Sequence, residues 1–147
     1  MSESSNYLKY SKILKAISDP TRRNILECIA KEPLNPEELA RNLVISRPGI
    51  EKHLKILCQF GLASREVDLF SAKLIYTTTD HAISLMKSID QALKEYELAA
   101  TLNLKIKLDQ YEKDYLLGRI GKDNWLKLKK ELEEQLEQSE QSDQDEE

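Results

Sequence analysis

Cysteine, histidine and glycine are scarce in this 147-residue chain, with two, two and four copies. Cys28 and Cys58 make no disulfide framework, and their low number fits a reducing compartment. Zinc sites want three or four suitably placed ligands, so two Cys and two His point to no metal site. No cofactor is expected either. Long apolar runs are missing, which excludes a transmembrane helix, and no membrane partner is expected. The opening MSESSNYLKY has no basic segment followed by an apolar one, so it does not read as a signal peptide. There is no Gly-rich phosphate loop and no nucleophile–base–acid set, so no catalytic residue is nominated and an enzyme is not expected. These absences leave a cytoplasmic protein as the default, and 147 residues suit one domain or one domain with a short appendage.

What is abundant is charge, and it is unevenly placed. Residues 1–79 carry 12 Lys/Arg against 9 Asp/Glu, a net +3. Residues 80–147 carry 10 against 17, a net −7, and Glu131 to Glu147 holds nine acids and no base. The mild basic excess lies in the first half, and the acid gathers at the end.

Helical punctuation organises the first sixty residues. Tyr7, Tyr10, Ile13, Leu14 and Ile17 recur at helical spacing. Asp19 then Pro20 reads as an N-cap and first helical position, opening a helix over 20–31. Asn35, Pro36 and Glu38 repeat that signal as a capping box, with Leu34 and Leu39 placed for a hydrophobic staple. That helix runs over 36–43. Ser46 caps the next, with Arg47, Pro48 and Gly49 as its first turn and Gly61 as its stop after Phe60. Proline is tolerated there because its missing N–H has no intrahelical partner anyway. Gly49 lowers helix propensity by about 1 kcal/mol, but lets another backbone approach closely.

Beyond Gly61 the period changes to two. LASREV and KLIYTTT predict a hairpin over 62–67 and 73–78. Asp80 is read as the cap of a long helix with Ile83, Met86, Ile89, Leu93, Tyr96 and Ala100 on one stripe. The order is that of a mainly α fold: a helical core with a helix-turn-helix, a two-stranded β-wing and a long helix. The second helix of such a motif presents its N-terminal turn, where free amides and the helix dipole favour phosphate.

In LKAISDPTRRNIL, EELARNLVISRPGIEKHLKILCQFGLASRE and LIYTTT, taken in that order, the chain resembles the ArsR-type winged-helix repressors. These pieces cover about a third of it. The resemblance implies a homodimer held by the first and last helices of the domain, here through Tyr10, Leu14, Ile83, Met86, Ile89, Leu93 and Tyr96. It also implies double-stranded DNA as partner, with helix 46–60 in the major groove. Carried over position by position, the DNA face is Ser46, Arg47, Gly49, Glu51, Lys52 and Lys55, with Lys73 on the wing. Spacing agrees, because Ile50, Leu54 and Leu57 share one helical face and the charges lie on others. Two features depart from the family. The wing tip EVDLFSAK sets Glu66 and Asp68 against Lys73, which disfavours phosphate. The first helix of the motif lacks Cys and His, and His81 stands alone on the long helix, so the family's metal sites are not expected. His53, Cys28 and Cys58 read as packed residues.

Residues 1–102 are expected to form the winged-helix domain and 103–138 a C-terminal helical hairpin. That hairpin has Leu104, Leu108, Tyr111 and Tyr115 on one helix, GRIG as the turn, and Trp125, Leu128, Leu132 and Leu136 on the other. It is similar to short helical hairpins of the SHOCT type. Residues 139–147 are apolar-poor and expected to be disordered. The function this predicts is a homodimeric, sequence-specific DNA-binding transcriptional regulator. A winged-helix shell used for protein interaction, with weak or no DNA binding, is the alternative. No effector is legible.

Overall fold

The prolines and their caps decide where the helices begin in the computed structural model, which describes residues 3–141. The order is α1 (Glu3–Ser18), α2 (Pro20–Lys31), α3 (Pro36–Leu43), α4 (Arg47–Gln59), β1 (Ala63–Val67), β2 (Leu74–Thr78), α5 (Asp80–Leu116) and α6 (Lys122–Gln141). The Asp19 carboxylate accepts the Arg22 N–H at 2.9 Å. That hydrogen bond is the chief reason its carboxyl is held below the usual range. Asn35 Oδ1 accepts the Glu38 N–H at 2.9 Å, and Glu38 Oε1 accepts from the Asn35 side-chain amide at 3.0 Å. The expected cap of α5 needs correction. Thr79, not Asp80, accepts the Ala82 N–H on its hydroxyl and the Ile83 N–H on its carbonyl. Asp80 is the first helical residue, where its charge suits the dipole.

The helix-turn-helix and wing surround one core. Ile25, Leu26 and Ile29 of α2, Leu39 of α3 and Ile50, Leu54 and Leu57 of α4 are fully buried. Gly61 closes α4 at φ +70°, a left-handed conformation that side chains resist. Its N–H reaches Cys58 O, and the Leu62 N–H reaches Leu57 O. The strands pair antiparallel, Ala63 opposite Thr78 and Arg65 opposite Tyr76. Each starts one residue later than the spacing predicted. The buried Thr78 hydroxyl donates to Leu26 O at 2.6 Å, which seats β2 on α2. On its other edge, Tyr76 exchanges both backbone hydrogen bonds with Leu34, at 2.8 and 3.2 Å. The entry to α3 is thereby tied to the wing.

The described residues form two compact units that divide between Ser88 and Ile89. That point lies inside α5, as does the expected boundary at 102/103, and the helix runs unbroken through both. In the second unit Tyr115 stacks on Trp125 with ring centroids 6.0 Å apart and planes at 14°. Lys129 Nζ lies 5.9 Å from the Trp125 ring. Trp125 and Leu132 are buried, while Leu104, Leu108 and Tyr111 are half-buried. Helix α6 continues to Gln141, so Ser139–Gln141 is helical and not the start of a disordered tail. The rest of that expected tail, 142–147, lies outside the described residues. Among the described residues no helix is long and apolar enough to cross a membrane.

Candidate nucleic-acid interface

The opening turn of α4 is built by Ser46. Its backbone is extended, its hydroxyl accepts the Gly49 N–H at 3.3 Å, and its carbonyl takes the Ile50 N–H at 3.0 Å. A Cβ on Gly49 would come within 3.1 Å of Ser46 Oγ and 3.2 Å of the Ile45 side chain. Gly49 therefore makes room for its own cap, not for another backbone as its spacing suggested. Val44 joins α3 to this turn in the left-handed region, φ 54° and ψ 48°. A branched residue is strained there, and nothing in the sequence announces it.

Burial of Ile50, Leu54 and Leu57 leaves Glu51, Lys52 and Lys55 exposed along α4. Ser46 and Arg47 are exposed at its start. His53 is half-buried, with Nδ1 3.4 Å from Arg22 Nη1. Arg22 is always a donor, so His53 Nδ1 accepts. Arg22 also donates to Ala16 O and Lys15 O, at 2.7 and 3.0 Å, and so fastens α1 to α2.

The structure brings the wing base and the recognition helix together through a residue the sequence did not single out. Glu37, in the first turn of α3, places Oε1 2.9 Å from Arg47 Nη1 and Oε2 3.8 Å from Lys73 Nζ. Arg47 Nε also meets Glu51 Oε1 at 3.2 Å. These four side chains rim an open cavity of about 270 Å³ with Leu74 and Tyr76. By contrast, Lys52 and Lys55 enter no ion pair among the described residues. No local signal finds Glu37, which lies ten residues from Arg47 and thirty-six from Lys73 in the chain.

The wing tip spends its polar groups on itself. Asp68 accepts from the Ser71 hydroxyl at 2.6 Å and the Phe70 N–H at 3.2 Å. Those bonds, the hydroxyl first, hold its carboxyl below the usual range. Leu69 and Phe70 stand 93% and 102% exposed on the turn.

The residues expected at a dimer contact fare unequally. Tyr10, Leu14, Leu93 and Tyr96 are exposed, and Ile83 and Ile89 are half-buried. Met86 is buried within its own chain, because its position on α5 turns it inward. His81 is occupied, with Nε2 2.8 Å from Gly61 O and 3.2 Å from Thr79 Oγ1. Burial pushes the Cys58 thiol up, against the thiolate that redox chemistry needs.

Three tight helices, a capped recognition helix and a two-stranded wing define a winged helix-turn-helix protein. Residues 19–65 match the bacterial regulatory proteins of the arsR family. Over 53 residues the chain is 45% identical to the HTH-type transcriptional regulator Rv2034 of Mycobacterium tuberculosis, covering 36% of this chain and 50% of that protein. It thus spans half the length of that relative. An uncharacterized HTH-type transcriptional regulator of Methanocaldococcus jannaschii is 34% identical over 88 residues, 58% of this chain and 93% of that one. Among solved structures, the homodimeric winged helix-turn-helix DNA-binding domain (fragment 1–100) from Mycobacterium bovis superposes with a TM-score of 0.54. That match is 15% identical over 65% of this chain and 88% of the other, a likeness of fold alone. The chain belongs to the ArsR family of helix-turn-helix regulators.

Proposed function

We propose that this chain is a cytoplasmic, sequence-specific regulator of transcription that binds double-stranded DNA as a homodimer. The observation that carries the reading is the face of α4. Its first turn is capped and open, and Lys52 and Lys55, without an ion-pair partner among the described residues, lie on the side away from Ile50, Leu54 and Leu57. Helix Arg47–Gln59 enters the major groove, where Arg47 or Lys52 contacts guanine and Glu51 accepts from cytosine. Exposed Tyr10, Leu14, Leu93 and Tyr96 supply the dimer contact. The Mycobacterium bovis domain of like fold is itself described as homodimeric. Two-fold symmetry then spaces the half-sites about 34–36 Å apart.

In vitro selection from a random duplex pool, followed by footprinting, tests the reading. A pseudo-palindrome with one-turn spacing is the expected result. Replacing Lys52 and Lys55 by alanine lowers affinity and flattens the slope of log K against log salt by about 2. Unchanged affinity and slope in that double variant would remove the assigned face. The exposed Leu69 and Phe70 are the feature a second reading, a protein-interaction module, would use. No complex with fragmented genomic DNA, even at low salt, would select it.

A further inference from the structure

Resting on the DNA-binding reading, we propose that Glu37 is a built-in substitute for a DNA phosphate. It holds Arg47 and Lys73 while the protein is free and surrenders them to the duplex backbone on binding. Both carboxylate oxygens are engaged, one by each cation, at 2.9 and 3.8 Å. A carboxylate and a phosphodiester offer the same thing to an arginine fork or an ammonium: one negative charge shared by two acceptor oxygens. Glu37 is also not a loose surface acid. Its helix starts at the Asn35 cap, and Leu34 just before that cap is hydrogen-bonded to Tyr76 on β2, three residues beyond Lys73. The first turn of a helix is also where a negative side chain suits the dipole. The fold therefore fixes an anion between the recognition helix and the wing.

The pairs are nevertheless exchangeable. Side chains of Glu37, Arg47 and Lys73 remain 54–58% exposed, so solvent and phosphate reach all three. Glu37, Glu51, Arg47 and Lys73 sum to zero charge, and the free pull on phosphate comes from Lys52 and Lys55. Duplex attracted by those two lysines meets Arg47 and Lys73 only after Glu37 lets go. With Arg47 given to the backbone, guanine contact falls to Lys52, and Glu37 thus lowers affinity for every sequence alike, because phosphate contacts carry no sequence information.

The test is fluorescence anisotropy on a selected operator and on an unrelated duplex, over a salt series, with wild type and Glu37→Gln. The variant is expected to bind both duplexes about three- to ten-fold more tightly at moderate salt, with a log–log slope steeper by about 1. Thermal melting by circular dichroism checks that the variant is folded. In an Arg47→Ala, Lys73→Ala background the same change is expected to have no effect, because the cations it frees are gone. If wild type binds and folded Glu37→Gln binds equally or more weakly, the assignment to Glu37 falls alone. If neither binds any duplex, the regulator reading falls with it. Tighter binding that persists in the doubly substituted background would also overturn the proposal, since it would reflect general charge rather than release of those two cations.

Discussion

The two compact units divide the apolar residues unequally. In the first, seven aliphatic side chains from α2, α3 and α4 are fully buried, and Thr78 and Leu34 stitch the wing to them. In the second, Trp125 and Leu132 are the buried side chains among the described residues, while Leu98, Leu102, Ile106, Leu116, Leu117 and Leu126 stand exposed. A two-helix hairpin has too little volume to enclose a core. The first unit can hold α4 and the wing in fixed register by its own packing. The second rests on one aromatic stack and a single file of half-covered residues.

Three substitutions probe that contrast, in falling order of effect. Leu54→Ala empties a fully buried site beneath the recognition helix and is expected to destabilise the protein by about 3–4 kcal/mol in urea unfolding. A loss under about 1 kcal/mol would mean the cluster is not what holds α4. Trp125→Ala removes the stack on Tyr115 and the Lys129 contact. Trp125 is buried, but few buried neighbours surround it in this unit, so about 2–3 kcal/mol is expected. Amide exchange should quicken in α6 and stay unchanged in α2–α4; faster exchange in both would erase the contrast. Asp19→Ala removes the α2 cap at a cost of about 1 kcal/mol near neutral pH. The Asp19 carboxyl is lowered in the folded chain, so its contribution is complete above the ordinary carboxylate range and fades as pH falls through the lowered value. Wild type and variant should therefore draw together in stability as pH falls below the ordinary carboxylate range, and a constant difference across that fall would contradict a charged cap.

Local chemistry explains what could be read in advance. Asp19–Pro20, Asn35–Pro36 and Ser46–Pro48 each announce a helix within four residues, and all three helices begin there. The turn of period from helix to strand located the wing to within a residue. The misreadings share a cause, which is competition that only the folded chain resolves. Thr79 and Asp80 are both good caps, and β2 ends so that the threonine wins. Ser139–Gln141 looks like tail by composition and continues as helix because α6 is already propagating. Glu37 lies furthest out of reach. Its partners are distant in sequence, and only the Leu34–Tyr76 bridge brings α3 beside the wing. The face of α4 was visible, but the acid that occupies its Arg47 and the wing's Lys73 was not.

The bare Leu69 and Phe70 at the end of the wing carry a consequence for ionic strength. Lysine grips a duplex by displacing condensed ions, and that hold loosens as electrolyte is added. Two hydrocarbon side chains displace none, and their association strengthens or holds where the ionic grip fails. Whatever surface meets this tip is touched by a part of the molecule that brine does not wash away.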